Sequence, residues 1–309
     1  LAEAGSLWRD VGDPVGEAVA ALASARLGGS GSAHLASEAE AVLRKHGVRT
    51  DAGMADALGA SLPRAPRIAV RTLGTFQVLR DGVPVPTAEW QSKKARDLLK
   101  ILVANRGRPV PRQRLAELLW PESAVDRTAN RLSVLLSTLR AVLTVDQGSG
   151  EEPVIADRNA VSLDLSTVNV DVERFLAAAE TAGALHRRGE PRALPALLES
   201  EQLYQGDFLA DDPYEDWAVQ VREEVRASYA VVLRALTQLV PDDDQKVGYL
   251  LRLLEQDCYD EGTHLALVRS LRTSRRYGEA QRRYEVYVSR MSEIGVEPTT
   301  QVAVYATAG

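Results

Sequence analysis

Residues 68–165 contain a run of segments whose order decides the fold. It opens with IAVRTLGTFQVLRDGVPV (68–85), which reads as a strand pair. An amphipathic segment follows, QSKKARDLLKILVANRG (91–107), then a short one, PRQRLAELLW (111–120). A longer helical segment rich in Arg, Ser, Thr and Asn comes next, DRTANRLSVLLSTLRAVL (126–143). PVIADRNAVSLDL (153–165) closes the run as a hairpin with Asp157, Arg158 and Asn159 at its tip. Alternation with period two marks the strands, and apolar residues spaced three and four apart mark the helices.

Three helices with a β-ribbon after the third read as a winged helix-turn-helix, a module that sets one helix into the major groove of DNA. Charge agrees with this reading. The chain carries a net charge of -6, yet residues 67–140 hold 14 Lys+Arg against 6 Asp+Glu, a balance of +8. The remainder after residue 140 is strongly acidic. A basic island in an acidic chain is the footprint of a phosphate-binding surface.

At 100° per residue, Ala129, Leu132, Leu135, Leu136, Leu139, Val142 and Leu143 gather on one side of the third helix and face the core. The opposite side carries Arg127, Asn130, Arg131, Val134, Ser137 and Thr138, flanked by Ser133. This face has no acid after Asp126, whereas a merely solvated helix usually carries Glu and Lys pairs. Arginine pairs with guanine, asparagine with adenine, and valine touches the thymine methyl. These seven residues are the expected base readers. Expected phosphate binders are Ser92, Lys93 and Lys94 at the start of the first helix, Arg112 and Arg114 at the start of the second, and Arg158 and Asn159 in the ribbon.

The runs LGTFQVLRDGVPVP (73–86), KARDLLKILVANRGRPVPRQRLAELLWPE (94–122) and ANRLSVLLSTLRAVL (129–143) resemble the OmpR/PhoB-type winged helix. More narrowly, they resemble the version found in the Streptomyces antibiotic regulatory protein family. The downstream half is similar to that family's bacterial transcriptional activator domain. NVDVERFLAAAETA (169–182) stands as its opening helix, LYQGDFLADDPYEDWAVQVREEVRASY (203–229) as its signature loop and helix, and residues 250–299 as its closing repeats. Cys258 stands where the family often has proline, a departure confined to a turn. The resemblance implies a mainly α protein with small β content, a winged helix joined to a tetratricopeptide-like domain. It also implies binding to double-stranded promoter DNA and contact with RNA polymerase or formation of a homodimer.

The expected domains are residues 1–66, a helical segment read as the tail of a longer helical-repeat region; 67–165, the winged helix; and 166–309, the activator domain. Gly59–Arg67, with two prolines, reads as a linker. In the second half Phe208, Tyr214 and Trp217 are expected as core anchors. Tyr277, Ala280 and Tyr284 fall in the pattern of interlocking paired helices.

No catalytic residues, metal ligands or cofactor are expected. The four histidines are scattered, and Gly28–Ser32 lacks the Gly-Lys-Ser/Thr ending of a phosphate loop. A single cysteine and no apolar run long enough to span a bilayer suit a cytoplasmic protein without membrane contact. The function expected is sequence-specific transcription regulation, with activation as the favoured sign. The rival reading is a helical-repeat scaffold whose winged helix binds protein, and the +8 island favours DNA.

Overall fold

The computed structural model describes residues 13–26, 32–46, 67–122, 128–144 and 152–300, in two compact units divided between Pro66 and Arg67. The first unit contains α1 (Pro14–Arg26) and α2 (Ser32–Lys45). Proline occupies the first position of α1, where no amide donor is needed. The Asp13 carboxylate accepts the Val15 N–H at 2.9 Å. Ala18 and Leu22 of α1 are buried with Ala39 and Leu43 of α2, each pair one helical turn apart. Gly28–Gly31 and the stretch expected to be a linker up to Pro66 lie outside the described residues.

The second unit opens on a four-stranded sheet in the order β3-β2-β1-β7. Strand β1 (Ile68–Arg71) pairs antiparallel with β2 (Gln77–Arg80), and β2 pairs with β3 (Val83–Pro84). The β2–β3 turn is Asp81-Gly82, with φ of 50° and 81°. Positive φ at both positions suits a two-residue primed turn, for which Asp-Gly is a favoured pair. Strand β7 (Val168–Val170) pairs with β1 in parallel, Ile68 opposite Val168 and Val70 opposite Val170.

A 3-10 turn (Thr87–Trp90) leads to α3 (Lys93–Ala104), then β4 (Val110–Pro111), α4 (Arg112–Leu119) and α5 (Thr128–Leu143). Helix α3 buries Leu98, Leu99, Ile101, Leu102 and Val103, so it is covered almost all round. The wing is the hairpin β5 (Val154–Ala156) and β6 (Ala160–Leu163), with β4 against β6.

Six helices complete the chain: α6 (Asp171–Arg187), α7 (Ala193–Leu203), α8 (Asp216–Leu239), α9 (Asp243–Gln256), α10 (Glu261–Thr273) and α11 (Tyr277–Glu293). Consecutive members of this series α8–α11 pack on one another, and α6 packs on α7 and α8. Asp242 and Asp260 cap α9 and α10 through the N–H groups of Asp244 and Thr263. This is the mainly α architecture, with a winged helix and a helical repeat, expected from the sequence.

The two halves of this unit share one core, running from Val70 and Leu99 through Phe175 and Phe208 to Leu236 and Leu271. Their seam is built from polar bonds as well. The Asp171 carboxylate, at the start of α6, accepts the Thr72 N–H and hydroxyl at 2.8 and 2.6 Å and the Leu73 N–H at 3.0 Å. The loop after α7 lies along the β1–β2 loop: Leu209 N–H donates to the Thr72 carbonyl and Gly74 N–H to that of Asp207. Gly74 has φ +88°, and a Cβ there would stand 3.1 Å from the Gln205 carbonyl oxygen. Glycine is therefore required by both the turn and the close approach.

Three expectations change. The boundary set at 165/166 precedes the last strand of the first sheet, because Val168–Val170 pairs with β1. A fragment ending at residue 165 would lose that strand and the helices that complete its core. Tyr214 is 94% exposed and is no core anchor, whereas Phe208 is fully buried and Trp217 half-buried. Tyr277 is also exposed, while Ala280 is buried and Tyr284 packs at the core's edge.

Candidate nucleic-acid interface

Helix α5 is held by its inward face. Leu132, Leu135, Leu136, Leu139, Val142 and Leu143 are all buried, as the helical projection requires. Asn130, Arg131, Ser133, Val134 and Ser137 are exposed on the other side, Val134 by 61%. An exposed valine ringed by small polar groups and an arginine gives a face able to approach base edges closely. Arg127 and the side chain of Ala129 lie outside the described residues.

Thr138 departs from the expectation. It is 5% exposed, and its hydroxyl donates to Gln91 Oε1 at 3.2 Å. Its position lies about 40° around the helix from the buried Val142. The 3-10 turn Thr87–Trp90 packs against α5 and covers that edge. Thr138 thus ties α5 to the residue before the α3 cap and does not face outward.

Ser92 caps α3, its hydroxyl accepting the Ala95 N–H at 3.3 Å. Lys93 is exposed. The Lys94 ammonium donates to the Leu119 carbonyl at 2.5 Å, which satisfies a free carbonyl at the end of α4. Arg112 joins the start of α4 to the wing: its Nε donates to the Asp157 carbonyl at 2.9 Å and its backbone N–H to that of Asn159 at 2.8 Å. Arg114 is exposed beside Glu117, 3.4 Å away.

At the wing tip the Asp157 carboxylate accepts the N–H groups of Asn159 and Ala160 at 2.6 and 2.7 Å. These bonds hold its carboxyl below the usual carboxylate range. They also fix the turn that presents Arg158 and Asn159, both exposed.

The basic island is therefore smaller in space than in sequence. Arg67, Arg80, Lys100 and Arg106 are engaged by Asp81, Glu89, Asp212, and Glu173 with Glu224. Among the described residues of the island and the wing, Arg71, Lys93, Lys94, Arg108, Arg131, Arg140 and Arg158 are exposed and carry no ion pair. Arg106 and Lys100 serve the seam and not the DNA side. Arg106 has φ +53° and forks onto Glu173 of α6 at 2.7 and 2.9 Å, reaching Glu224 of α8 at 2.8 Å. The Glu173 hydrogen bonds raise its pKa further above the usual guanidinium value. Lys100 is buried, 2.5 Å from Asp212 and over the Phe76 ring. One sign of this role is visible in the sequence: a lysine inside the apolar run LLKILVA must find a buried partner.

A helix held by its apolar face, with an outward polar face beside an arginine-tipped ribbon, defines a winged-helix regulator carrying a helical-repeat domain. Residues 89–158 match the family described as transcriptional regulatory protein, C terminal, and residues 170–306 match the bacterial transcriptional activator domain. These two domain matches, in this order, are the pair carried by the Streptomyces antibiotic regulatory protein type of regulator that the sequence resembles.

Among solved structures, EmbR of Mycobacterium tuberculosis, in complex with a low-affinity phosphopeptide, shares the fold at a TM-score of 0.61 and 23% identity. The match covers 78% of this chain and 64% of that one, so the chain spans less than two thirds of its length. No curated protein matches the chain. No described helix is long and apolar enough to cross a membrane.

Proposed function

We propose that the chain is a transcription activator that binds promoter DNA sequence-specifically and works in the cytoplasm. Asn130, Arg131, Ser133, Val134 and Ser137 read bases in the major groove. Arg127, outside the described residues, is assigned to the same face from the sequence alone. Lys93, Lys94, Arg112, Arg114, Arg158 and Asn159 hold phosphates, with the Ser92-capped start of α3 beside them. The helical half contacts RNA polymerase or a second copy of the chain. The observation that carries this reading is the two-sidedness of α5, whose apolar face is buried and whose outward face holds no acid from Asn130 onward.

Selection of bound fragments from genomic DNA by the full chain tests it, followed by titration of a selected fragment against random duplex. A selected sequence should bind at least about a thousandfold tighter than random DNA. Affinity for both should fall steeply as salt rises, since phosphate contacts release counterions. Absence of binding to any duplex at low salt would favour the protein-binding scaffold.

A further inference from the structure

Tyr214 is the most exposed large hydrophobic side chain among the described residues, yet its backbone neighbours are fixed on both sides. Upstream, Leu209 and Ala210 donate to the Thr72 and Gly74 carbonyls. Asp212 is ion-paired with Lys100. Arg222, itself buried, donates to the carbonyls of Phe208, Asp212 and Pro213 at 3.0–3.2 Å. Downstream, the Trp217 indole N–H donates to the Glu215 carboxylate at 2.7 Å, and Ala218 is fully buried. The ring is therefore held out on an ordered loop.

Its surroundings are acidic. Asp211, Glu215 and Asp216 are exposed, and the exposed positions Asp216, Val219, Gln220 and Glu223 recur at helical spacing along the start of α8. An aromatic anchor and a partly exposed valine within a polar rim is the composition of an interaction hot spot, where tyrosine is enriched. The acids exclude nucleic acid as the occupant and select a basic protein surface. Preorganisation lowers the ordering cost of binding.

We propose that Tyr214, with the acidic first turns of α8, is the surface through which this regulator engages a lysine- or arginine-rimmed site on RNA polymerase. This assignment rests on the activator reading above and names the part of the helical half that carries it.

The test is in-vitro transcription with RNA polymerase holoenzyme and the full chain on a promoter it binds, at matched promoter occupancy. Tyr214→Ala should lower the activated transcript about tenfold, equivalent to roughly 1.4 kcal/mol of lost contact. Asp216→Lys with Val219→Lys, which leaves the Glu215–Trp217 bond in place, should lower it comparably and decides the matter if Tyr214→Ala alters folding. Tyr277→Ala, an exposed tyrosine on α11, should leave it unchanged. Promoter affinity and melting temperature should match the wild type in each variant. Activation by the wild-type chain that Tyr214→Ala leaves intact overturns this surface alone. A wild-type chain that occupies the promoter without raising transcription overturns the activator reading, and this surface with it.

Discussion

Replacing Lys100 with methionine should be among the most damaging single changes in the winged helix, though it removes a charge and keeps the length of the side chain. The ammonium lies 2.5 Å from Asp212 Oδ2 and 4.9 Å from the Phe76 ring centroid. The two side chains are only 6% and 14% exposed. Methionine fills the space but leaves the Asp212 carboxylate facing an apolar neighbour. Breaking one side of a buried pair costs about 3–5 kcal/mol. Asp212 keeps some access to water, so a loss near 3 kcal/mol is expected. For a unit of this size that lowers the melting temperature by roughly 6–12 °C.

Asp212→Asn should cost less, about 2 kcal/mol, because the amide oxygen still accepts from the ammonium. The double variant should lose less than the sum, with a coupling of at least about 1 kcal/mol. Urea titration followed by circular dichroism gives each value, and added salt should change the coupling little because the pair is shielded from solvent. A loss below about 1 kcal/mol for Lys100→Met, or strict additivity, would refute the view that this pair fastens the two halves.

On DNA, Asn130→Ala and Arg131→Ala should each lose about 1–3 kcal/mol of discrimination between selected and random duplex. Lys93→Ala should weaken both about equally, and competition binding separates the cases. Thr138→Val should cost about 1 kcal/mol of stability through the lost bond to Gln91, with base preference unchanged; a preference shift as large as that of Arg131→Ala would mean that Thr138 meets DNA. Hydrogen bonds from the Arg226 guanidinium hold the Asp207 carboxyl below its usual range. A carboxyl depressed in the folded state stabilises it above the unfolded pKa, and this contribution is lost as pH falls below about 4. Melting curves between pH 6 and pH 3 should therefore fall less steeply for Arg226→Gln than for the wild type; parallel curves would assign the acid sensitivity elsewhere.

What could be read from the sequence was mostly local. The apolar stripe of α5 repeats within one helix, and Asp157, Arg158 and Asn159 form a hairpin tip between their own two strands. The outward residues from Asn130 to Ser137 followed from the same arithmetic. Thr138 did not, because its burial depends on a 3-10 turn reached through Gln91, 47 residues away. Tyr214 was assigned to the core because an aromatic residue is more often buried, and composition carries no record of a loop held open by Arg222. The contacts that make one body of two halves are more distant still. Asp171 reaches Thr72 across 99 residues and Lys100 reaches Asp212 across 112. Nothing in the local pattern of either partner specifies the other.

These distant contacts bear on how binding at one end can be felt at the other. Domains joined by a flexible tether act as separate binders whose second contact depends on an effective concentration. Here the winged helix gives its β1 edge to β7 and its core to α6 and α8, while Arg106, Lys100 and Asp171 fasten the seam. The loop that displays Tyr214 is hydrogen-bonded to the loop that follows β1. The position of that ring relative to α5 is therefore set by the fold, with no linker entropy to lose when both are engaged. A regulator built this way offers a partner a surface at a fixed place on the promoter. Weakening the seam should accordingly reduce activation more than it reduces DNA affinity. Lys100→Met assayed below its melting range, with promoter occupancy matched to the wild type, would show that separation as a lower transcript yield; an undiminished yield would mean that the two surfaces act independently.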